Sequence, residues 1–550
     1  MFSRRDMLKY GLATAAASGV PTRRARAGDD GGVAKTPFKT DPFQDPLPLA
    51  QIKVPVNSTP TPDGSCVRLL SPGTMASPGT HQFIERADFK PKYAYEIHVK
   101  ENRFHNFHKA MGPVTRIWGY DGVFPGPIFH AKYGESIMVR FYNELPADHV
   151  GFGIPSLSTH LHNGHNASES DGYPGNFFDS GTCWDNLYPN VLNGFTASPE
   201  TNDPRDCMGT LWYHDHRQDF TAQNVYAGLA GGYLLFDDLD CNDETDPNGC
   251  QLPSGKYDVT LAFGDKVFDA NRQLVYDFFN LDGILGDKFT VNGKIQPYFE
   301  VERRKYRFRL LDGGPSRFYA FALSDGTPLI QISNDGNLMA APIARPYVTC
   351  GVAERHDVII DFSKYSDGAK LYLVNRAEQV DGRGPTGKLL TPGDRLIEFR
   401  VNGSLPAFDR SLVKPTLREQ PPIDLTQVVM RRRFEFNRSG GSWTVNGRAF
   451  NDNRVDASIK RNTREVWTLK NGGGGWSHPI HIHMEEFRVL SFNGRPPRSF
   501  EDRKDVIVLG PDDEAEVFFN FRDYLGRYVM HCHNVVHEDH AMMIRFDIVP

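Results

Sequence analysis

Four short runs gather most of the metal-seeking side chains: His160-Leu161-His162, His214-Asp215-His216, His478-Pro479-Ile480-His481-Ile482-His483, and His531-Cys532-His533 with His537. They hold ten of the 19 histidines. Imidazole is a ligand suited to copper, iron or zinc. Residues i and i+2 of a strand project from one face with Cα atoms about 6.6 Å apart, so paired histidines reach neighbouring ions rather than crowd one. Four such pairs supply eight imidazoles. A lone histidine is more often a packed or surface residue than a ligand, but that explanation would have to hold four times in register. A closed zinc site has no need of a Cys-His-Met set beside eight further imidazoles.

The single cysteine between two of these histidines follows the same alternation. In an extended His531-Cys532-His533 both rings point one way and the thiol points the other. Cys532 therefore serves a different metal from its neighbours. Its companions are expected to be His478, which begins the third run, His537, and Met542 five residues further on. Two histidines, a thiolate and a weak axial thioether describe a blue-copper electron-transfer site. The backbone flanking Cys532 is then the shortest covalent route between that site and the opposite cluster.

The elements that must position these groups repeat. Residues 120–145 (YDGVFPGPIFHAKYGESIMVRFYNEL), 290–313 (TVNGKIQPYFEVERRKYRFRLLDG) and 444–472 (TVNGRAFNDNRVDASIKRNTREVWTLKNG) each set a turn dipeptide, an apolar stretch and a polar turn before an alternating run. Ile137/Val139/Phe141 and Tyr306/Phe308/Leu310 alternate with period two, the mark of half-buried strands. GTLWYHDH (209–216) matches GRYVMHCH (526–533), while the corresponding AKLYLVNRAEQV (369–380) has no histidine. Three β-sandwiches of one ancestry are expected at 86–240, 250–402 and 425–550, with linkers near 239–255 and 403–425 and an extended arm over 28–85. The first and last kept metal ligands and the middle one did not.

Composition agrees. A chain of 550 residues is too long for one core, and 39% hydrophobic with 12% aromatic residues fills several. Its 38 prolines and 51 glycines are spread throughout, as short strands joined by turns require. No apolar run approaches the roughly 20 residues of a membrane span. Ser3-Arg4-Arg5-Asp6-Met7-Leu8-Lys9, an apolar stretch from Tyr10 to Val20 and Ala25-Arg26-Ala27 read as a twin-arginine export signal over 1–27, which sends the protein to the periplasm or outside the cell. Losing that segment moves the formal charge from −6 to −11, which argues against a nucleic-acid partner. Seven cysteines leave at least one unpaired, Cys532 by preference, with Cys241–Cys250 and Cys183–Cys207 the expected disulfides.

With its motifs HLH, HDH, HPIHIH and HCHNVVHEDHAMM in order, the chain resembles the multicopper oxidases over nearly its whole mature length. Within that family YDGVFPGP, HLHNGHNASESDG, WYHDH and HEDHAMM make it most similar to bilirubin oxidases and spore-coat-type bacterial laccases. The resemblance implies an all-β fold of three consecutive cupredoxin-like Greek-key domains and four copper ions: one type 1, one type 2 and two type 3. Carried over by residue, it implies His478, Cys532 and His537 as equatorial type 1 ligands with Met542 axial, and His160 and His481 as type 2 ligands. His162, His214 and His533 would then hold one type 3 copper, and His216, His483 and His531 the other. Asp171 and Glu538 match family acids that supply protons to oxygen, and Trp476 stands where bilirubin oxidases carry a tryptophan near the type 1 site. The implied partners are O2 and a small phenolic or tetrapyrrole donor, and a monomer is expected. Oxidation of Mn(II) or Cu(I) is the alternative, although the 12 methionines are scattered rather than clustered as in dedicated cuprous oxidases. A copper-free relative kept for protein binding is the remote one, because such proteins have lost ligands.

Overall fold

The computed structural model describes residues 33–57, 65–68, 81–147, 151–197 and 202–550. The export signal assigned to 1–27 and part of the 28–85 arm lie outside them. Six sheets of four to seven strands form in three consecutive stretches of chain, from Cys66 to Phe236, Asp258 to Asn402 and Val428 to Val549. Each pair of sheets encloses its own core: Val139, Phe141, Tyr213 and Tyr233 in the first, Leu261, Phe308, Leu310 and Phe399 in the second, Trp467, Ile480, Phe519 and Phe546 in the third. The fold is all-β, a row of three sandwiches. The repeats also pair alike. In each unit the alternating strand lies parallel to an earlier one: Ile137–Asn143 beside Tyr93–His105, Lys305–Asp312 beside Asp258–Lys266, and Thr463–Asn471 beside Val428–Ser439.

Thr463–Asn471 alternates buried and partly exposed as period two led us to expect, but Ile137–Asn143 and Lys305–Asp312 are buried on both faces. Arg140, Arg307 and Arg309, on the faces opposite the apolar residues, are as buried as their neighbours. Arg140 meets Asp185 at 2.7 and 3.0 Å. Arg307 holds Asp240 at 2.8 and 2.9 Å, and Arg309 holds Asp258 at 2.8 and 2.7 Å. These faces are covered because the sandwiches press on one another: Arg309 also donates to the Thr210 hydroxyl of the first unit at 2.6 Å. A buried charge persists only when paired, and each of these is.

Within the arm, Pro46, Ile52 and Val56 bridge to Tyr298, Ile128 and Ala94, so the arm runs extended over the second and first sandwiches. The expected disulfides are not formed. Cys183 bonds Cys66, because the short strand Cys66–Arg68 lies parallel to Cys183–Tyr188 with these two residues in register. Cys207, Cys241 and Cys250 are free thiols, as are Cys350 and Cys532. Two short α-helices among the described residues, Thr221–Ala227 and Val535–Asp539, pack together through Ala222, Tyr226, Val535 and Val536 and draw the first and third sandwiches against each other. Among the described residues no helix is long and apolar enough to cross a membrane.

Candidate metal centres

Each terminal sandwich presents histidines by the same device, two antiparallel strands with imidazoles across the register. In the first, Thr159–His162 pairs with Thr210–Asp215 so that His160 faces His214. In the third, His478–Ile482 pairs with Gly526–Cys532 so that His481 faces His531. His216, His483 and His533 follow directly on strands ending at Asp215, Ile482 and Cys532, and extend the same faces. The eight rings meet between the sandwiches. His162 stacks on His481 at 3.7 Å between centroids and His160 on His483 at 3.8 Å, so rings of the two units interleave.

One nitrogen of most of these rings is held by the protein. His214 Nδ1 donates to the Asp215 carbonyl and His481 Nδ1 to the Asp505 carbonyl, both at 2.9 Å. His160 Nδ1 donates to the Asp171 carbonyl, and His162 Nε2 to Asp505 Oδ1 at 2.9 Å. The opposite nitrogens, His160 Nε2, His162 Nδ1, His214 Nε2 and His481 Nε2, are buried with no hydrogen-bond partner, as are both of His533. His531 Nε2 lies 3.1 Å from His216 Nε2 and 3.3 Å from His483 Nε2. Burial, reinforced by the surrounding imidazoles, lowers the basicity of His160, His162, His481, His483 and His533, and brings His214 to about 3 and His216 to about 4. Neutral rings with fixed tautomers and convergent lone pairs are the donor set of a metal site, and unpartnered buried nitrogens are what an ion would satisfy.

Besides Asp505, two carboxylates touch the cluster. Asp171 Oδ2 accepts from His483 Nδ1 at 2.7 Å, and the loop that carries it lies flat on the strand below because Gly172, with φ of +78°, has no Cβ to strike Thr159 and His160. Burial pushes the Asp171 carboxyl well above the usual carboxylate range. Glu538 stands between His531 Nδ1 at 3.0 Å and His216 Nδ1 at 3.3 Å and accepts from the Thr221 hydroxyl at 2.6 Å. Burial alone would raise it, but His216 and His531 outweigh burial and bring it down to about 2.

On the other face of the same strand, Cys532 Sγ lies 3.4 Å from His478 Nδ1 and 3.5 Å from His537 Nδ1, which are 3.2 Å apart. A point equidistant from all three would be about 2 Å from each, the length of a metal–imidazole bond. His537 is oriented by its other nitrogen, which donates to the Asp282 carbonyl at 3.0 Å. Burial pushes the Cys532 thiol well above its ordinary value, so a bound cation is what would favour the thiolate here. Met542 is fully buried in the same core, its carbonyl accepting from Cys532 N at 3.1 Å and its amide donating to the His537 carbonyl at 3.0 Å. Trp443 covers His537 at 3.9 Å, and half-buried Trp476 meets Trp443 edge-on at 5.2 Å beneath the guanidiniums of Arg383 and Arg438.

All the histidines singled out from sequence fall in these two groups. His105, His108, His165 and His540 bond instead to Gly293, Asp41, Asp523 and Val536. Sequence reasoning missed Trp443, Asp282 and Asp505. Of these only Asp505 carried a local signal, as the last of three charges, Arg503-Lys504-Asp505, leading into the apolar Val506-Ile507-Val508-Leu509.

Residues 416–550 match the family model described as multicopper oxidase. Over 469 residues the chain is 34% identical to a bilirubin oxidase of Albifimbria verrucaria, covering 82% of this chain and 76% of that one. Over 510 residues it is 32% identical to a laccase of Bacillus subtilis, covering 84% of this chain and 95% of the other. A crystal structure of a multi-copper oxidase from Pediococcus acidilactici superposes with a TM-score of 0.73 at 22% identity, over 96% of this chain and 95% of that one, which speaks for the fold. The chain belongs to the multicopper oxidase family, copper-dependent oxidoreductases that use O2.

Proposed function

We propose that this protein is an exported laccase- or bilirubin oxidase-like enzyme holding four copper ions. His478, Cys532 and His537, with Met542 axial, would hold the type 1 ion. His160 and His481 would hold type 2, His162, His214 and His533 one type 3 ion, and His216, His483 and His531 the other. When bound, these ions accept single electrons from a donor and reduce O2 to water. Cys532 joins the two ligand groups, since its side chain belongs to one and both its peptide neighbours to the other. Asp171 and Glu538 lie against cluster imidazoles and would serve proton supply, Asp171 raised by burial so that it can hold a proton and Glu538 brought down so that it stays ionised beside His216 and His531. Trp476, with Arg383 and Arg438 over it, would form the approach for an aromatic donor. Export would follow the twin-arginine signal over 1–27 to the periplasm or exterior, and the enzyme would act as a monomer.

The observation that carries this reading is the division at Cys532. Its sulfur lies within 3.5 Å of His478 and His537 Nδ1, while His531 Nε2 meets His216 and His483 on the opposite face. The test is copper content and visible absorption of the loaded protein, followed by turnover of a phenolic dye, bilirubin, Mn(II) and Cu(I). Four coppers, a strong thiolate band and preference for the organic donors are expected. A colourless copper-loaded protein, or turnover confined to the metal ions, would overturn it.

A further inference from the structure

The middle sandwich supplies none of the candidate ligands, yet one of its side chains reaches the aspartate that holds two cluster rings. We propose that Arg355 is a positioning residue for the imidazole cluster and acts through Asp505 on His162 and His481. The proposal rests on the copper reading above.

Arg355 begins the strand Arg355–Asp361 and is fully buried. Its Nη1 donates to Asp505 Oδ1 at 2.8 Å and its Nη2 to Asp505 Oδ2 at 2.6 Å, two parallel bonds that fix the plane of the carboxylate. The other guanidinium hydrogens go to the carbonyls of Ala353 at 3.2 Å, Asp335 at 2.6 Å and Thr210 at 3.1 Å, so the fork has no freedom to turn. Asp505 then fixes one ring from each terminal sandwich. Its Oδ1 accepts from His162 Nε2 and its carbonyl from His481 Nδ1, both at 2.9 Å. These two rings stack at 3.7 Å and 13°, with His162 Nδ1 and His481 Nε2 left unpartnered. The preceding residue is anchored to the middle sandwich as well, Lys504 Nζ lying 3.0 Å from Asp335 and 2.7 Å from Glu354. All three units therefore meet at Asp505. Desolvation of a buried ion pair cancels much of its attraction, so what the pair contributes here is orientation rather than stability.

The experiment compares copper-loaded wild type with Arg355→Lys and Asp505→Asn. Lysine keeps the charge but cannot make two parallel bonds, and asparagine keeps an acceptor for His162 but loses the ionic fork. Each sample is measured for copper per chain, thiolate absorption, the type 2 electron paramagnetic resonance signal, and copper retention against a chelator. We expect the thiolate band to persist in both variants, because the Cys532 site does not touch Asp505. We expect the type 2 hyperfine pattern to change and cluster copper to be held roughly 10- to 100-fold more weakly. Wild-type hyperfine pattern and retention in both variants would overturn the proposal. So would loss of the thiolate band in step with the cluster signal, which would make Arg355 a folding residue only. A wild type without a type 2 signal would instead sink the copper reading itself.

Discussion

His481 lies directly opposite His531 across two antiparallel strands, and one step along the same register Ile480 faces Cys532. The pleat thus sends His531 to the cluster and its neighbour Cys532 into the core of the third sandwich, where His478 and His537 wait. Replacing Cys532 with Ser removes a sulfur from one group without touching the other. Thiolate absorption and donor oxidation should vanish while cluster copper stays bound, which a copper count and the type 2 signal would register. An unchanged visible spectrum would refute the assignment.

The reach of sequence reasoning is set by how local each determinant is. His-x-His spacing and strand alternation act within three residues, so the two groups around Cys532 could be read directly. Repeats of about 25 residues carried the three sandwiches for the same reason. Contacts between distant segments could not be read. Cys66 finds Cys183 across 117 residues because two strands happen to lie in register, and nothing near either cysteine announces it. Arg140, Arg307 and Arg309 look like solvent-facing positions until neighbouring elements cover them. Arg355 and Asp505 are 150 residues apart, and their pairing exists only once the middle and third sandwiches have docked.

Met542 is tied by backbone hydrogen bonds to both Cys532 and His537, so its side chain starts beside the sulfur–imidazole triangle. Replacing it with Leu keeps an apolar group of similar volume in a fully buried place, which costs under about 1.5 kcal/mol of stability. The blue colour should survive, and the type 1 potential should rise because a weak donor has been withdrawn. Redox titration of the thiolate band would show this. A potential that stays constant or falls would remove Met542 as the axial ligand.

Asp171 touches the cluster at His483 and Glu538 at His216 and His531, one pushed up by burial and the other brought down by those two rings. Asp171→Asn and Glu538→Gln preserve shape but not proton exchange. Each should cut steady-state O2 consumption by about 100-fold, the usual weight of a positioned acid or base. The anaerobic rate at which a donor bleaches the thiolate band should change far less, since the bonds of both carboxylates go to His483, His531, His216 and Thr221 rather than to Cys532, His478 or His537. Equal losses in both assays would mean that the substitutions disturb the whole structure rather than proton supply.

The copper-free chain should be acid-sensitive in a defined window. Burial holds His214 and His478 at about 3 and His216 at about 4, against about 6.5 for an unfolded histidine. Between these values the unfolded chain binds protons that the folded chain refuses, so stability present above pH 6.5 is lost as the pH falls. Each ring forfeits about 1.4 kcal/mol per pH unit, which makes roughly 4 kcal/mol for the three at pH 5.5. Glu538 does not blur this window, because its lowered pKa contributes fully above its unfolded value of 4.5, while Asp215, raised to about 7 by burial, takes up a proton in the folded chain and returns part of the loss. Urea unfolding of copper-stripped protein at pH 7.5, 6.5 and 5.5 should therefore show little change over the first step and a sharp drop in midpoint over the second. A midpoint that is flat to pH 5.5 would mean that the stripped cluster opens to water and its rings titrate as ordinary surface histidines.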